Sequence, residues 1–134
     1  MHFTPVASAF LVALLVAAAG TGPAAALEKR KYDAASFKAA QSGNKSILVD
    51  ITAPWCPTCK AQHKVLDSLA KKPEFAQLVV FEVDFDSQKD AVKSFNARQQ
   101  STLIAFKGGR ETRRAVGETS TESIEGLLKS ALKE

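Results

Sequence analysis

The chain places its only two cysteines directly after a run of apolar residues that indicates a buried strand. The run Ile47–Ile51 is apolar apart from Asp50, and it is rich in β-branched residues. Cys56 and Cys59 follow, with two residues between them. From Cys56 to about Ala70 apolar residues recur at helical spacing. The sequence therefore predicts a strand that delivers Cys56 to the first turn of a helix.

That position determines what Cys56 can do. The first turn of a helix has unpaired backbone N–H groups, and the helix dipole favours negative charge there. A thiolate at Cys56 is therefore stabilised and nucleophilic near neutral pH. Cys59 lies one turn later and can close a small disulfide ring. Because such a ring closes almost no chain, it stabilises the folded state very little. The spacing therefore favours a reactive dithiol over a structural disulfide.

Residues 1–26 have the pattern of a signal peptide. Residues 6–19 are almost all apolar and carry no charge, and the run is shorter than the about 20 residues that a membrane-spanning helix needs. Ala24–Ala26 offers the small residues of a cleavage site, although no Lys or Arg precedes the apolar run. We expect cleavage after Ala26, with an uncleaved membrane anchor as the alternative. In both cases residues 27–134 form one exported domain.

Helices and strands alternate along residues 27–134. The predicted elements are a short strand near residues 30–32, a helix capped by Asp33 and ended by Gly43, a strand over 46–53, a helix over 56–70, a strand over 78–85, a short helix capped by Ser87 and Asp90, a strand over 102–106, a hairpin at Gly108–Gly109, a strand over 111–116, and a helix capped by Thr119 and Glu122. Right-handed crossovers then give an α/β fold, a central mixed sheet with helices on both faces.

Two separated motifs resemble the thioredoxin family. Ile47–Asp50 followed by Trp55–Lys60 matches its strand, buried aspartate and W-C-x-x-C-K sequence, and Thr102–Glu111 matches its later strand and hairpin. The resemblance covers essentially all of residues 27–134 and implies the thioredoxin fold. Among subgroups the chain most resembles small exported bacterial thioredoxins, including the periplasmic C-terminal domain of the DsbD electron transporter. We therefore expect a periplasmic protein.

The resemblance implies a thiol-disulfide oxidoreductase whose redox centre is the Cys56–Cys59 disulfide, with no cofactor and no bound metal. Cys56 would attack a substrate disulfide, and Cys59 would resolve the mixed disulfide. Asp50 matches the buried aspartate that takes the proton from the resolving cysteine. Substrate would bind around Trp55, Pro57 and Thr58 and around the segment Gln100, Ser101 and Thr102.

Two positions depart from the family pattern. Ser101 stands where the family usually has a cis-proline, and we expect the Gln100–Ser101 bond to be trans because a non-proline cis bond costs about 2.5–4 kcal/mol. Without this proline, we do not expect the family's mode of substrate binding or its exclusion of metals from the cysteines to carry over directly. The Ser101 hydroxyl could hydrogen-bond the Cys56 thiolate. Glu82 stands roughly where a lysine often accompanies the buried aspartate. If Glu82 faces Asp50, two carboxyls meet without an ion pair.

The sequence favours a reductase of protein disulfides outside the cytoplasm. Such a reductase needs a membrane electron donor of the DsbD or CcdA type. Its acceptors would be mispaired disulfides, apocytochrome c thiols or a sulfenic acid on another exported protein, in a role such as cytochrome c biogenesis. We expect a monomer, and the net charge of +4 is too small to indicate a nucleic-acid partner.

Three alternatives remain at the level of sequence. The protein could be an oxidant, because Pro57 follows Cys56 in some strongly oxidising relatives. It could instead be a binding module whose dithiol holds copper or another soft metal. Cys56, Cys59 and His63 could supply three metal ligands, although a structural zinc site usually has four. A Cys–His hydrolase is disfavoured because the sequence shows no acidic partner for His63.

Overall fold

The computed structural model describes Met1 and residues 27–134, so that the predicted signal peptide beyond Met1 lies outside the described residues. The elements along this part are β1 (Glu28–Lys31), α1 (Ala34–Ser42), β2 (Ser46–Thr52), α2 (Pro57–Leu69), a 3-10 turn (Pro73–Phe75), β3 (Val79–Asp84), α3 (Lys89–Ser94), β4 (Thr102–Lys107), β5 (Arg110–Val116) and α4 (Thr121–Ser130). None of these helices is long and apolar enough to cross a membrane.

The five strands form one mixed sheet in the order β1-β3-β2-β4-β5. The central strand, β2, runs parallel to β3 and antiparallel to β4. All residues of β2 are buried except Thr52 at its end, as the nearly continuous apolar sequence of this segment requires. The predicted mixed sheet is confirmed.

Helices cover both faces of the sheet, as predicted. Side chains of α2 and α4 pack on one face, where the buried core includes Leu48, Leu66, Val80, Leu103 and Leu127. Side chains of α1 and α3 pack on the other face, where the core includes Phe37, Val49, Phe81, Phe95 and Ile104. Because side chains alternate along a strand, neighbouring residues of β2 enter different cores.

Of the three helix caps predicted for α1, α3 and α4, the first is confirmed and the other two are wrong. The Asp33 carboxylate accepts the N–H of Ser36 at 2.8 Å and caps α1. Ser87 does not cap α3, since its N–H and its hydroxyl both bind the Asp84 carboxylate, and the helix begins at Lys89.

The last helix is capped by Ser120 rather than by Thr119. The Ser120 hydroxyl accepts the N–H of Ser123 at 3.1 Å. The carboxylate of Glu118 accepts the N–H groups of Thr119 and Ser120, which holds the preceding residues in a turn and moves the helix start by one residue.

The hairpin between β4 and β5 depends on a glycine at its first position. Gly108 has φ +55°, and a Cβ atom there would lie 2.8 Å from the Asn44 side-chain oxygen and 3.3 Å from the Gln41 carbonyl oxygen. Nothing lies within 4 Å of a Cβ atom at Gly109. The two glycines therefore have different roles although they are adjacent.

We expect Gly108→Ala to lower the free energy of unfolding by about 1–3 kcal/mol, because it adds the cost of left-handed backbone to a steric clash. Gly109→Ala is the matched control and should change stability by less than about 0.5 kcal/mol. Urea denaturation of both variants measures the difference. Equal effects would show that the close approach of Gly108 to Asn44 does not limit stability.

The segment before β4 contains a second constrained position. Ser101 has φ +58°, and the Gln100–Ser101 peptide bond is trans, as expected. The Ser101 carbonyl accepts the N–H of Gly117 at 2.9 Å, which ties this segment to the end of β5. Proline cannot adopt this backbone, because its ring holds φ near about −65°.

Ser101→Gly should leave stability unchanged or raise it by up to about 1 kcal/mol, since glycine adopts positive φ without a steric penalty. Ser101→Pro should destabilise the fold by about 2 kcal/mol or more, because the segment must rearrange and lose its hydrogen bonds. Thermal unfolding of the two variants beside wild type tests this order. A proline variant as stable as wild type would contradict it.

Candidate active site

The two cysteines lie where the sequence predicted, at the start of α2. Cys56 is the N-cap residue, and its Sγ accepts the backbone N–H of Cys59 at 3.0 Å. Pro57 occupies the first helical position, where the missing N–H costs nothing. One otherwise unpaired N–H group of the helix is therefore directed at the sulfur of Cys56. The same hydrogen bond stabilises a thiolate when the disulfide is reduced.

Cys56 and Cys59 are joined in a disulfide, with their Cα atoms 5.3 Å apart. Both cysteines are buried, each with 1% of its surface exposed. Ala53 and Phe85 pack around them. The pair is therefore a formed redox couple held at the end of β2 and the start of α2.

Trp55 is the exposed side chain beside the disulfide. Its surface is 56% accessible, and its indole N–H donates to the Asp86 carboxylate at 2.7 Å. Asp84 accepts the N–H groups of Asp86 and Ser87 and thereby fixes the turn that carries Asp86. The indole ring of Trp55 is therefore exposed to solvent and is held in one orientation by its hydrogen bond to Asp86. The sequence analysis missed Asp86, and the only signal for it was an acidic residue in the turn after β3.

The segment Gln100–Thr102 lies at the same edge of the sheet as the cysteines, because Thr102 pairs with Ile51 near the end of β2. Thr102 is buried, and its hydroxyl donates to the Gln99 carbonyl at 2.8 Å. Within residues 27–134 the Ser101 hydroxyl makes no hydrogen bond to Cys56, whose sulfur is bound by Cys59 instead. Pro57 is exposed, and Thr58 and Gln100 are half-buried.

Gln62 connects this segment to the helix that carries the cysteines. Its side-chain amide is fully buried and donates to the carbonyls of Ser101 at 3.1 Å and Glu118 at 2.9 Å. Gln62 was not among the site residues predicted from the sequence. A glutamine among core positions was the available signal, because a buried amide needs hydrogen-bond partners.

Asp50 projects from β2 toward α2 and is 1% exposed. Its Oδ2 lies 2.8 Å from Nε2 of His63, and within the described part of the chain its Oδ1 has no hydrogen-bond partner. Glu82 is the cross-strand partner of Asp50 and faces the same cluster, as considered from the sequence. The imidazole of His63 belongs to the same cluster, so that the two carboxyls have a basic side chain beside them.

The environment of His63 raises its pKa above the ordinary value of 6.5. The main cause is the hydrogen bond to Asp50, which stabilises the imidazolium, and the charges of Asp50 and Glu82 act in the same direction. Partial burial and the charge of Lys29 oppose the shift. The sequence analysis found no acidic partner for His63, and that was wrong, because a partner 13 residues away becomes visible only in the fold.

In the described part of the chain, Asp50, His63 and Glu82 each bring a metal-binding atom to within 4.8 Å of the other two. Within residues 27–134, His63 forms no such group with the two cysteines, contrary to the ligand set considered from the sequence. Since its Nε2 is already bound by the Asp50 carboxylate, the contact is that of an orienting hydrogen bond.

Known proteins resemble the chain in sequence and in structure. The family profile described as Thioredoxin matches residues 27–130. The H-type thioredoxin of Brassica campestris is 36% identical over 93 residues, 69% of this chain and 74% of its own length. The thioredoxin of Alicyclobacillus acidocaldarius is 32% identical over 98 residues, 73% of this chain and 92% of its own length.

Among solved structures, Trxlp from Edwardsiella tarda EIB202 superposes with a TM-score of 0.73 and 42% sequence identity, covering 75% of this chain and 98% of that one. The fold and the C-x-x-C disulfide are those of the thiol-disulfide oxidoreductases that this chain matches. The site carries its redox function in the Cys56–Cys59 disulfide, and thioredoxins use no other cofactor. The chain belongs to the thioredoxin family.

Proposed function

We propose that this protein is an exported reductase of protein disulfides. The observation that carries the reductase chemistry is the position of Cys56, whose sulfur receives the N–H of Cys59 at the start of α2. This position stabilises a thiolate on Cys56 and thereby supplies the nucleophile of disulfide exchange. Export is supported by the apolar run over residues 6–19 and the small residues Ala24–Ala26 that follow it.

The two cysteines have different roles in this proposal. Cys56 attacks one sulfur of the substrate disulfide and forms a mixed disulfide, and Cys59 then attacks Cys56 and releases the reduced substrate. Cys56 is the attacking residue because its sulfur is the helix cap, whereas Cys59 lies inside the first turn. Asp50, the buried carboxylate on the α2 side of β2, serves the acid–base chemistry of Cys59.

Substrate would dock on the surface around the disulfide. Trp55 is oriented by Asp86 and offers an exposed aromatic face, with Pro57 and Thr58 beside it. The half-buried Gln100 would form the other wall, supported from below by Ser101 and Thr102, which are buried. Gln62 and Gly117 occupy the Ser101 carbonyl, and we therefore assign the pairing with a substrate peptide to the backbone of Gln100.

A reductase outside the cytoplasm needs a source of electrons. A membrane donor of the DsbD or CcdA type would reduce the Cys56–Cys59 disulfide by the same exchange chemistry. The acceptors would be mispaired disulfides, oxidised apocytochrome c thiols or sulfenic acids of exported proteins. The protein would act as a monomer in the periplasm.

Cys59→Ser should trap mixed disulfides with substrates, whereas Cys56→Ser should form none and lose all turnover. Expression of the full-length Cys59→Ser chain in a Gram-negative bacterium tests exchange and export together. We expect the mixed disulfides in the periplasmic extract, attached to a chain that begins at Leu27. Full turnover by Cys59→Ser would exclude the two-step exchange, and recovery from the cytosol alone would exclude export.

The redox equilibrium of the protein with a dithiol buffer distinguishes a reductase from an oxidant. Trp55, the only tryptophan of the chain, reports the state of the disulfide through its fluorescence. We expect a potential near that of thioredoxin, about −270 mV. A value near about −120 mV would make the protein a disulfide donor. Tight Cu(I) binding by the dithiol without turnover would instead support the copper-binding alternative.

A further inference from the structure

His63 and Cys59 line one crevice at the surface of the protein. Its walls are formed by residues at the end of β2, the start of α2 and the end of β3, namely Thr52, Ala53, Pro54, Cys59, Lys60, His63 and Asp84. Cys59 and His63 are four positions apart on α2 and therefore lie on the same side of the helix, with Cβ atoms about 5–6 Å apart. The crevice therefore places the imidazole and Cys59 against the same volume of solvent, through which a proton can pass between them.

Asp50 determines which nitrogen of His63 is available. Asp50 accepts a hydrogen bond from the Nε2–H of His63 at 2.8 Å when the carboxyl is ionised. A neutral ring that donates from Nε2 carries its free lone pair on Nδ1. The side chain of His63 is 32% exposed, whereas that of Asp50 is 1% exposed. Only the ring can therefore exchange a proton directly with water.

We propose that His63 accepts the proton of Cys59 at Nδ1 and that Asp50 acts as the carboxylate that orients this base. The inference rests on the disulfide exchange proposed above and assigns the proton step within it. It changes the expected role of Asp50, which orients the ring and stabilises the imidazolium instead of receiving the thiol proton itself. The arrangement follows the same logic as other nucleophile–His–carboxylate sites.

The resolution step moves one proton to His63 and completes the reduction of the substrate. In the mixed disulfide, Cys59 carries a thiol, and its proton passes to Nδ1 of His63 as its sulfur attacks Sγ of Cys56. The Cys56–Cys59 bond forms, the bond from Cys56 to the substrate sulfur breaks, and the substrate leaves as a thiolate that takes a proton from water. Two electrons have then passed from the protein dithiol to the substrate disulfide. The imidazolium returns its proton to the solvent of the crevice.

Charged groups from β1, β2, β3 and α2 lie around His63. Asp50 of β2 and Glu82 of β3 raise its pKa, and Lys29 of β1 lowers it. Lys60 of α2 and Asp84 at the end of β3 share the crevice. Because the net effect raises the pKa above 6.5, His63 is a free base only above that raised value. The resolution step should therefore accelerate as pH rises through the pKa of His63.

The test isolates this step in the full-length protein. Cys56 is joined to glutathione at low pH, the pH is then raised in a stopped-flow instrument, and glutathione release is followed through Trp55 fluorescence across the pH range. In parallel, the ring of His63 is titrated by NMR, and its signal is separated from that of His2 by its loss in His63→Gln. We expect the kinetic midpoint and the ring pKa of the wild type to coincide.

Three variants separate the role of His63 from a structural one. His63→Gln retains an amide donor for Asp50 but has no base, so that release should slow at least about tenfold at pH 8 and its midpoint should move up toward that of an ordinary thiol, about 8.5. Asp50→Asn should keep the His63-dependent step but move its midpoint down in pH. Lys64→Gln, on the exposed side of the same helix, should match the wild type.

Several results would overturn the inference. An unchanged midpoint in His63→Gln, or a wild-type midpoint that differs from the NMR pKa, would show that His63 is not the proton acceptor. The wild-type comparison requires no variant to fold. If the wild type released no glutathione at any pH, the proposed exchange itself would fail, and the inference would fail with it. If glutathione were released from His63→Gln as it is from the wild type, the inference would fail while the proposed exchange would stand.

Discussion

The burial of β2 on both faces is the constraint on which the rest of the structure depends. A strand covered on both faces must pair along both edges to satisfy its backbone groups, and β2 does so with β3 and β4. Because both neighbouring strands hold β2, the point at which the chain leaves the sheet and enters α2 is fixed as well. The packing of β2 therefore fixes the location of Cys56, although Cys56 is not a residue of that strand.

The alternation of side chains along β2 explains why a carboxylate lies behind the disulfide. Leu48 enters the core shared with α2 and α4, so that Asp50, two residues later, points to the same side. Burial of a carboxylate in that core is costly without a partner. His63 on α2 is this partner, and its ring also reaches the surface. It thereby connects the buried Asp50 carboxylate to the solvent beside Cys59.

The other side of the site shows how the chain accommodates the absence of the family's proline. Ser101 adopts positive φ in a trans segment, and its carbonyl is held by Gln62 and Gly117. The buried amide of Gln62 ties the segment before β4 to α2, the helix that bears the disulfide. The segment before β4 and the disulfide are thereby held by the same helix.

The sequence by itself determined the sheet, the helices and the redox pair. These follow from local patterns, since a continuous apolar run indicates a buried strand, spacing indicates a helical face, and two cysteines separated by two residues at a helix start can close a disulfide. Helix starts at Ser87 and Thr119 were misplaced, because the Asp84 carboxylate binds the Ser87 hydroxyl and the Glu118 carboxylate holds the backbone N–H groups before α4 in a turn.

Only the tertiary structure decided the partners of the polar side chains. His63 meets Asp50, Gln62 meets Ser101, and Trp55 meets Asp86, at sequence separations of 13, 39 and 31 residues. No local pattern encodes such pairs, because a buried polar group requires a partner without specifying where in the chain it lies. The packing of α2 against the sheet brings these groups together, and with them the environment in which the disulfide reacts.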